Sequence, residues 1–137
     1  MRPGVLDVNV WISGLAFPGI CRSLVNSLGE DKFTAVLSPV LLEDFFRVIE
    51  KPKIKKWITA DMLEEIVSLI HMKVSITEPK IKVQCCRDPD DDAVLEAALS
   101  SKAEFIVSGD GDLLTLETFK EIPIIRPGVF ARKLGIK

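Results

Sequence analysis

The chain has 137 residues, 47% of them apolar, and a net charge of −2; this suits one globular domain with a single core and excludes a disordered polyion. A near-neutral balance does not announce a nucleic-acid binder on charge alone, and no apolar run reaches membrane-spanning length or the layout of a signal peptide. Three cysteines, two of them adjacent (Cys85 and Cys86), make neither a disulfide framework nor a structural zinc site, so the expected compartment is the cytoplasm.

In chain order, the β-branched run over residues 4–10 predicts a buried parallel strand. It carries Asp7 in its middle and Asn9 on the same side, and an unpaired charge there would be costly. A helix over 20–28 should stop at Gly29, and 33–37 reads as a second strand. Ser38-Pro39 opens a helix as N-cap and first-turn proline, with the apolar stripe Leu41, Leu42, Phe45, Val48, Ile49. Asp44 borders that stripe, and Glu43 falls on the far side with Arg47 and Glu50. Lys51-Pro52 ends the helix. The basic cluster Lys51, Lys53, Lys55, Lys56, with Trp57 beside it, reads either as a solvated face or as a contact to a phosphate backbone and its bases.

Thr59 caps a helix over 60–71 whose wide apolar arc (Met62, Leu63, Ile66, Val67, Leu69, Ile70) suits the core first and, as the alternative for part of it, a subunit interface. His71, the single histidine, is explained by the negative helix end. A strand over 74–76 follows. The run Cys86-Arg87-Asp88-Pro89-Asp90-Asp91-Asp92 then places four carboxylates within five residues ahead of a helical pattern. Helix-start electrostatics account for Asp88 and Asp90. They do not account for Asp91, which shares the inward stripe of Val94, Leu95 and Ala98 at about 100° per residue. A strand over 104–108 ends in Gly109-Asp110-Gly111-Asp112, where Asp112 could be an N-cap and Asp110 has no such structural reading. A strand over 122–125 and a short helix close the chain. Strand and helix alternate, which argues an α/β sandwich with a mainly parallel sheet.

In such a sheet Asp7, Asp44, Asp91 and Asp110 all gather at the carboxyl edge of the strands. Carboxylates without cysteine or histidine make a hard-oxygen site suited to Mg²⁺ or Mn²⁺, ions that activate water in phosphoryl chemistry.

At these residues the sequence resembles the PIN-domain ribonucleases, and in particular VapC-like toxins. The resemblance rests on Val5-Leu6-Asp7-Val8-Asn9-Val10-Trp11, on Ser38-Pro39-Val40-Leu41-Leu42-Glu43-Asp44-Phe45 with Lys51-Pro52-Lys53, on Cys86-Arg87-Asp88-Pro89-Asp90-Asp91, and on Phe105-Ile106-Val107-Ser108-Gly109-Asp110-Gly111-Asp112. It covers nearly the whole chain, 1–137, as a single PIN-like domain. It implies a three-layer, flavodoxin-like α/β/α sandwich that cleaves single-stranded or structured RNA with Mg²⁺ or Mn²⁺, often as a homodimer and with an antitoxin partner. The family's acids fall on Asp7, Asp44, Asp91 and Asp110. Asn9, Ser108, Asp112, Glu43 and Asp92 stand at supporting positions, and Lys51, Lys53, Lys55, Lys56 and Trp57 are candidates for RNA contact. The family usually has Glu where this chain has Asp44, one methylene shorter, and its closest members often have Asn at position 92. Two other readings stay open: a PIN-like module that binds RNA or a partner with little catalysis, and a phosphotransfer or phosphatase domain on a similar sheet.

Overall fold

Short apolar runs bounded by turn-forming residues give short buried strands, and amphipathic stretches with Ser, Thr or Asp before them give the helices. The computed structural model describes residues 2–136. The strands are β1 (Pro3–Leu6), β2 (Thr34–Leu37), β3 (Val74–Ile76), β4 (Phe105–Val107), β5 (Thr118–Phe119) and β6 (Ile122–Ile125). The helices are α1 (Val8–Ala16), α2 (Ile20–Asn26), α3 (Pro39–Ile49), α4 (Pro52–Lys55), α5 (Ala60–Lys73), α6 (Pro89–Ser101), α7 (Gly111–Leu116) and α8 (Pro127–Lys133). No single helix among the described residues is long and apolar enough to cross a membrane.

The strand order is β3-β2-β1-β4-β6-β5, parallel throughout except for β5, which runs antiparallel to β6. From β1 the chain winds outward through β2 to β3, then returns to the other side of β1 as β4 and continues to β6. Right-handed crossovers in both directions put helices on both faces, giving an α/β/α sandwich. The reversal makes the β1/β4 boundary the topological switch point, where ligands of open α/β sheets bind beyond the carboxyl ends of the strands.

Two predicted elements differ. The strand expected over 4–10 stops at Leu6, because Asp7 leaves the extended register and caps α1 instead. The Asp7 carbonyl takes the N–H groups of Val10 and Trp11, so capping and burial of α1 override the β-propensity of Val8 and Val10. The helix expected over 20–28 ends at Asn26 and tightens into a 3-10 turn over Ser27–Glu30; the left-handed residue that follows is Asp31 (φ 56°), not Gly29. The two-residue strand β5 left no hydrophobic pattern to read.

The amino-terminal edge of the sheet is closed by a packed aromatic cluster. Phe130 of α8 lies 5.1 Å from Phe33 and 4.5 Å from Phe105, ring centre to ring centre. Phe105 covers Gly4, its register partner on β1: a Cβ at Gly4 would sit 1.9 Å from the Phe105 ring. Gly4→Ala therefore forces two central strands apart or a buried ring out of its rotamer, and should destabilise the fold by about 1–3 kcal/mol or more. The urea unfolding midpoint measures this, and an unchanged midpoint would show that the ring has room to move.

Candidate metal centre

Two acids of the site, Asp7 and Asp110, are placed by the hydrogen bonds that begin a helix. Asp7, one residue beyond β1, accepts the Asn9 N–H at 3.2 Å through Oδ1 and the Ser108 hydroxyl at 2.7 Å through Oδ2. Ser108 is fully buried, and its Oγ also accepts the Asp110 N–H at 2.9 Å. One hydroxyl thus ties the exit of β1 to the exit of β4. Asp110 is itself the N-cap of α7, its Oδ1 accepting the N–H groups of Asp112 at 2.8 Å and Leu113 at 3.3 Å. This corrects the sequence reading, in which Asp112 was the candidate cap and Asp110 had no structural task. Asp112 instead lies in the first turn.

Asp88 caps α6 by accepting the Asp90 N–H at 2.9 Å, and Pro89 opens the helix. That leaves Asp91 facing inward, 7% exposed, at the head of the stripe formed by Val94, Leu95 and Ala98. Asp44 stands in the second turn of α3, not the first, with its side chain only 14% exposed.

Asp7, Asp44, Asp91 and Asp110 line one cleft of about 90 Å³ at the switch point, together with Asn9, Arg47, Asp88 and Asp90. Carboxylate oxygens of Asp91, Asp110 and Asp112 lie within 4.8 Å of one another, so Asp112 belongs among the potential ligands. The crowding shows in the acidities. Burial, then the charges of Asp110 and Asp7, push Asp91 up to about 7. Asp7 is also raised, because burial outweighs the hydrogen bonds from Ser108 and Asn9 and Asp110 adds repulsion. Asp90 is raised by burial and by its neighbours Asp44 and Asp88, against the pull of Arg47.

Arg47 was not foreseen as a site residue. Its Nη2 lies 2.7 Å from Asp44 Oδ1 and 3.6 Å from Asp90 Oδ2. The i, i+3 spacing from Asp44 was the available signal. The other oxygen of Asp44, Oδ2, is buried without a hydrogen-bond partner among the described residues. Neither cysteine nor histidine lines the cleft. An oxygen-only donor set with raised pKa values and an unsatisfied buried oxygen fits a hard divalent cation.

Two of the supporting residues, Glu43 and Asp92, point away from the site. Glu43 is exposed on the outer face of α3. Asp92 turns to the preceding loop, its Oδ1 accepting the N–H groups of Cys85 at 3.2 Å and Cys86 at 2.9 Å. Partial desolvation opposes ionisation of Asp92, but those two N–H groups hold its pKa below the usual carboxylate range. Its carboxylate lies within 4.8 Å of the two thiols. That trio makes a poor cation site, because the Asp92 oxygen is already engaged and burial with its neighbours pushes the Cys86 thiol up to about 12. Lys51, Lys53, Lys55, Lys56 and Trp57 are all exposed, on and around α4, and none lines the cleft; Lys55 pairs with Glu50 at 2.9 Å.

A sequence profile of the PIN domain matches residues 4–112. The chain belongs to the PIN-domain family. The match runs from β1 into α7 and so includes every acid of the cleft. The PIN domain is also 32% identical over 114 residues to the uncharacterized protein MJ1680 of Methanocaldococcus jannaschii, covering 82% of this chain and 73% of that one. PIN domains are generally nucleases and typically bind divalent metals, in keeping with an acidic cluster at this edge of the sheet.

The acidities fix a pH dependence for the metal-free PIN domain. Asp91 is raised from 3.8 to about 7, so between those values the folded chain holds a proton that the unfolded chain releases. Stability is then fully present below about pH 4 for this group and is lost as pH rises through 7, by on the order of 4 kcal/mol. Asp91→Asn cannot ionise and should remove most of that slope, leaving a variant at least as stable as the parent at pH 8. Melting curves in chelator from pH 5 to pH 8 measure this, and a variant that melts well below the parent at pH 8 would make Asp91 a structural residue.

Proposed function

We propose that this PIN domain is a Mg²⁺- or Mn²⁺-dependent endoribonuclease, acting in the cytoplasm as the toxin of a toxin–antitoxin pair. The observation that carries the reading is the buried, oxygen-only cleft in which Asp91 is pushed up to about 7 by burial and its neighbours. A bound divalent cation would relieve that mutual repulsion. The toxin role is supported by the resemblance of the residues around Asp7, Asp44, Asp91 and Asp110 to VapC-like toxins, whose habit of pairing with an antitoxin and forming homodimers extends to this chain by the same likeness.

Asp91, Asp110 and Asp112 would hold the ion, with Asp7 and Asp44 completing the shell directly or through water. When bound, the ion supplies an activated water and steadies charge on the leaving oxygen. The chain's own residues do the positioning. Ser108 fixes the Asp7 carboxylate through Oδ2, and capping of α7 fixes Asp110 through Oδ1. Arg47 pairs with Asp44 and lines the cleft, where its guanidinium could also meet a phosphate. The second reading, a binding module of low turnover, is favoured by one feature: Asp44 is a short side chain already held by Arg47.

Titration calorimetry with Mn²⁺ should show a saturable site that Asp91→Asn weakens strongly. Cleavage of mixed cellular RNA in Mn²⁺ should fall roughly a hundredfold or more in that variant. Asp92→Asn, whose amide oxygen can still accept from the Cys86 N–H, should cleave as the parent does. RNA binding without any cleavage in either ion would favour the binding module. A parent with no saturable Mn²⁺ site would overturn the metal assignment.

Arg47 is tested separately. Removing it frees Asp44 for the ion, so Arg47→Ala should tighten Mn²⁺ binding by up to roughly fivefold, the scale of a half-exposed ion pair, while slowing cleavage. Weaker Mn²⁺ binding in that variant would mean that Arg47 organises the site instead of competing for it.

A further inference from the structure

The two helices that wall one side of the cleft also share a second destination. Asp7 caps α1 at the cleft, and the nine residues of that helix carry the chain about 14 Å away to Phe17. Asp44, Arg47 and Val48 of α3 line the cleft, and the chain then leads through α4 to Trp57. There the two lines meet again: the rings of Phe17 and Trp57 lie 5.7 Å apart, tilted by 57°. The contact leaves both in solvent, with Phe17 40% and Trp57 52% exposed. Lys56 Nζ sits 5.6 Å from the centre of the Trp57 ring, and Lys51, Lys53 and Lys55 are exposed on the same short segment.

An exposed aromatic pair alone could cover a protein partner or a second copy of this chain. The charge beside it decides among these occupants. Four lysines within residues 51–56, one of them paired with Glu50, form a cationic strip in a chain of net charge −2. Aromatic faces interleaved with lysine match the alternation of base and phosphate in an unpaired nucleic-acid strand. A duplex would offer only its phosphates, because its bases are already stacked.

We propose that Phe17 and Trp57 form a stacking platform for an unpaired nucleobase of single-stranded RNA, with Lys53 and Lys56 holding the adjoining phosphates. The assignment rests on the RNA reading above and extends it: the strand would enter over the platform and run along α1 and α3 to the acidic cleft, a few nucleotides away. The site therefore discriminates single strand from duplex before any bond is cut. The platform touches no reacting atom; it binds and orients.

The chain provides its own probe. It has two tryptophans and no tyrosine, and Trp11 is fully buried, so quenching of its emission by a macromolecule reports on Trp57. In chelator, poly(U) should quench that emission and the poly(A)·poly(U) duplex should not. Phe17→Ala and Trp57→Leu should each weaken poly(U) binding about five- to a hundredfold without changing its salt dependence. Lys53→Ala with Lys56→Ala should flatten the salt dependence. Trp57→Phe keeps an aromatic face and should retain most of the affinity that Trp57→Leu loses, which separates stacking from mere apolar bulk.

Equal quenching by the duplex, or equal affinity in the phenylalanine and leucine variants, would overturn the platform. So would a self-association, seen in sedimentation, that Trp57→Leu abolishes while poly(U) binding stays intact; a second copy would then cover the patch. None of these measurements needs metal or cleavage. A chain that binds poly(U) through Trp57 yet cleaves nothing in Mn²⁺ refutes the nuclease reading alone. A chain that cleaves poly(U) equally well with leucine at position 57 refutes the platform alone.

Discussion

The Ser108 hydroxyl is the constraint on which the site depends. It donates to Asp7 Oδ2 at 2.7 Å and accepts from the Asp110 N–H at 2.9 Å; the first bond must break before the two central parallel strands can separate at their carboxyl ends, and the second holds Asp110 to the same anchor. Because Ser108 is fully buried, water offers neither partner a ready substitute, and each bond costs more to lose than it would at the surface. The arrangement holds two carboxylates near one another against their repulsion. Helix capping adds to it: Asp7 and Asp110 each begin the helix that follows their strand. Turning either carboxylate away to relieve the charge would uncap a helix. The acids are therefore fixed by bonds that do not depend on a cation, and the donor set is preorganised before any ion arrives.

Such a site stores unfavourable energy, which the rest of the fold must offset. The offset lies at the opposite edge of the sheet, where Phe33, Phe105 and Phe130 pack together and Gly4 gives the Phe105 ring its space. The β1–β4 pair links the two ends directly: Gly4 pairs with Phe105 at the aromatic edge, and Leu6 pairs with Val107 just before the acids. A shift of register between these strands would open the aromatic cluster and misplace Asp7 relative to Asp110 at once. Stability and site geometry are thus set by the same two strands.

Much of this was legible in the sequence because the signals were strongly periodic or chemically costly. Asp91 stood out since no packing argument tolerates a carboxylate beside Val94, Leu95 and Ala98, and Ser38-Pro39 and Thr59 marked helix starts that the structure bears out. The misreadings share one cause. A run such as Val5-Leu6-Asp7-Val8-Asn9-Val10 has the same β-branched character on both sides of Asp7, and only the capping bond to the Asn9 N–H ends the strand there. Asp110 and Asp112 exchanged expected roles because a two-residue offset in a glycine-flanked turn leaves no periodic trace. Arg47 was hidden for another reason. Helical phase put it on the solvent face, and a long side chain can reach back over its own helix to Asp44 from there.

The charge distribution completes the account of how a near-neutral chain would handle a polyanion on the proposed reading. The buried acids gather at the cleft, and the lysine strip lies beyond the far ends of α1 and α3, on and around α4. At physiological salt, fields between exposed charges fade within about 8 Å, so the lysine strip can attract a strand with little opposition from the acids. A phosphate that reaches the metal-free cleft would meet more carboxylates than cations, with Arg47 beside Asp44 and Arg87 beside Asp112. On that reading attraction and chemistry would be separated in space: the strip would gather the strand whatever occupies the cleft, and only a cation-filled cleft would accept its phosphate. A metal requirement would then act on cleavage far more than on binding, which is the physical reason the two properties could be measured apart.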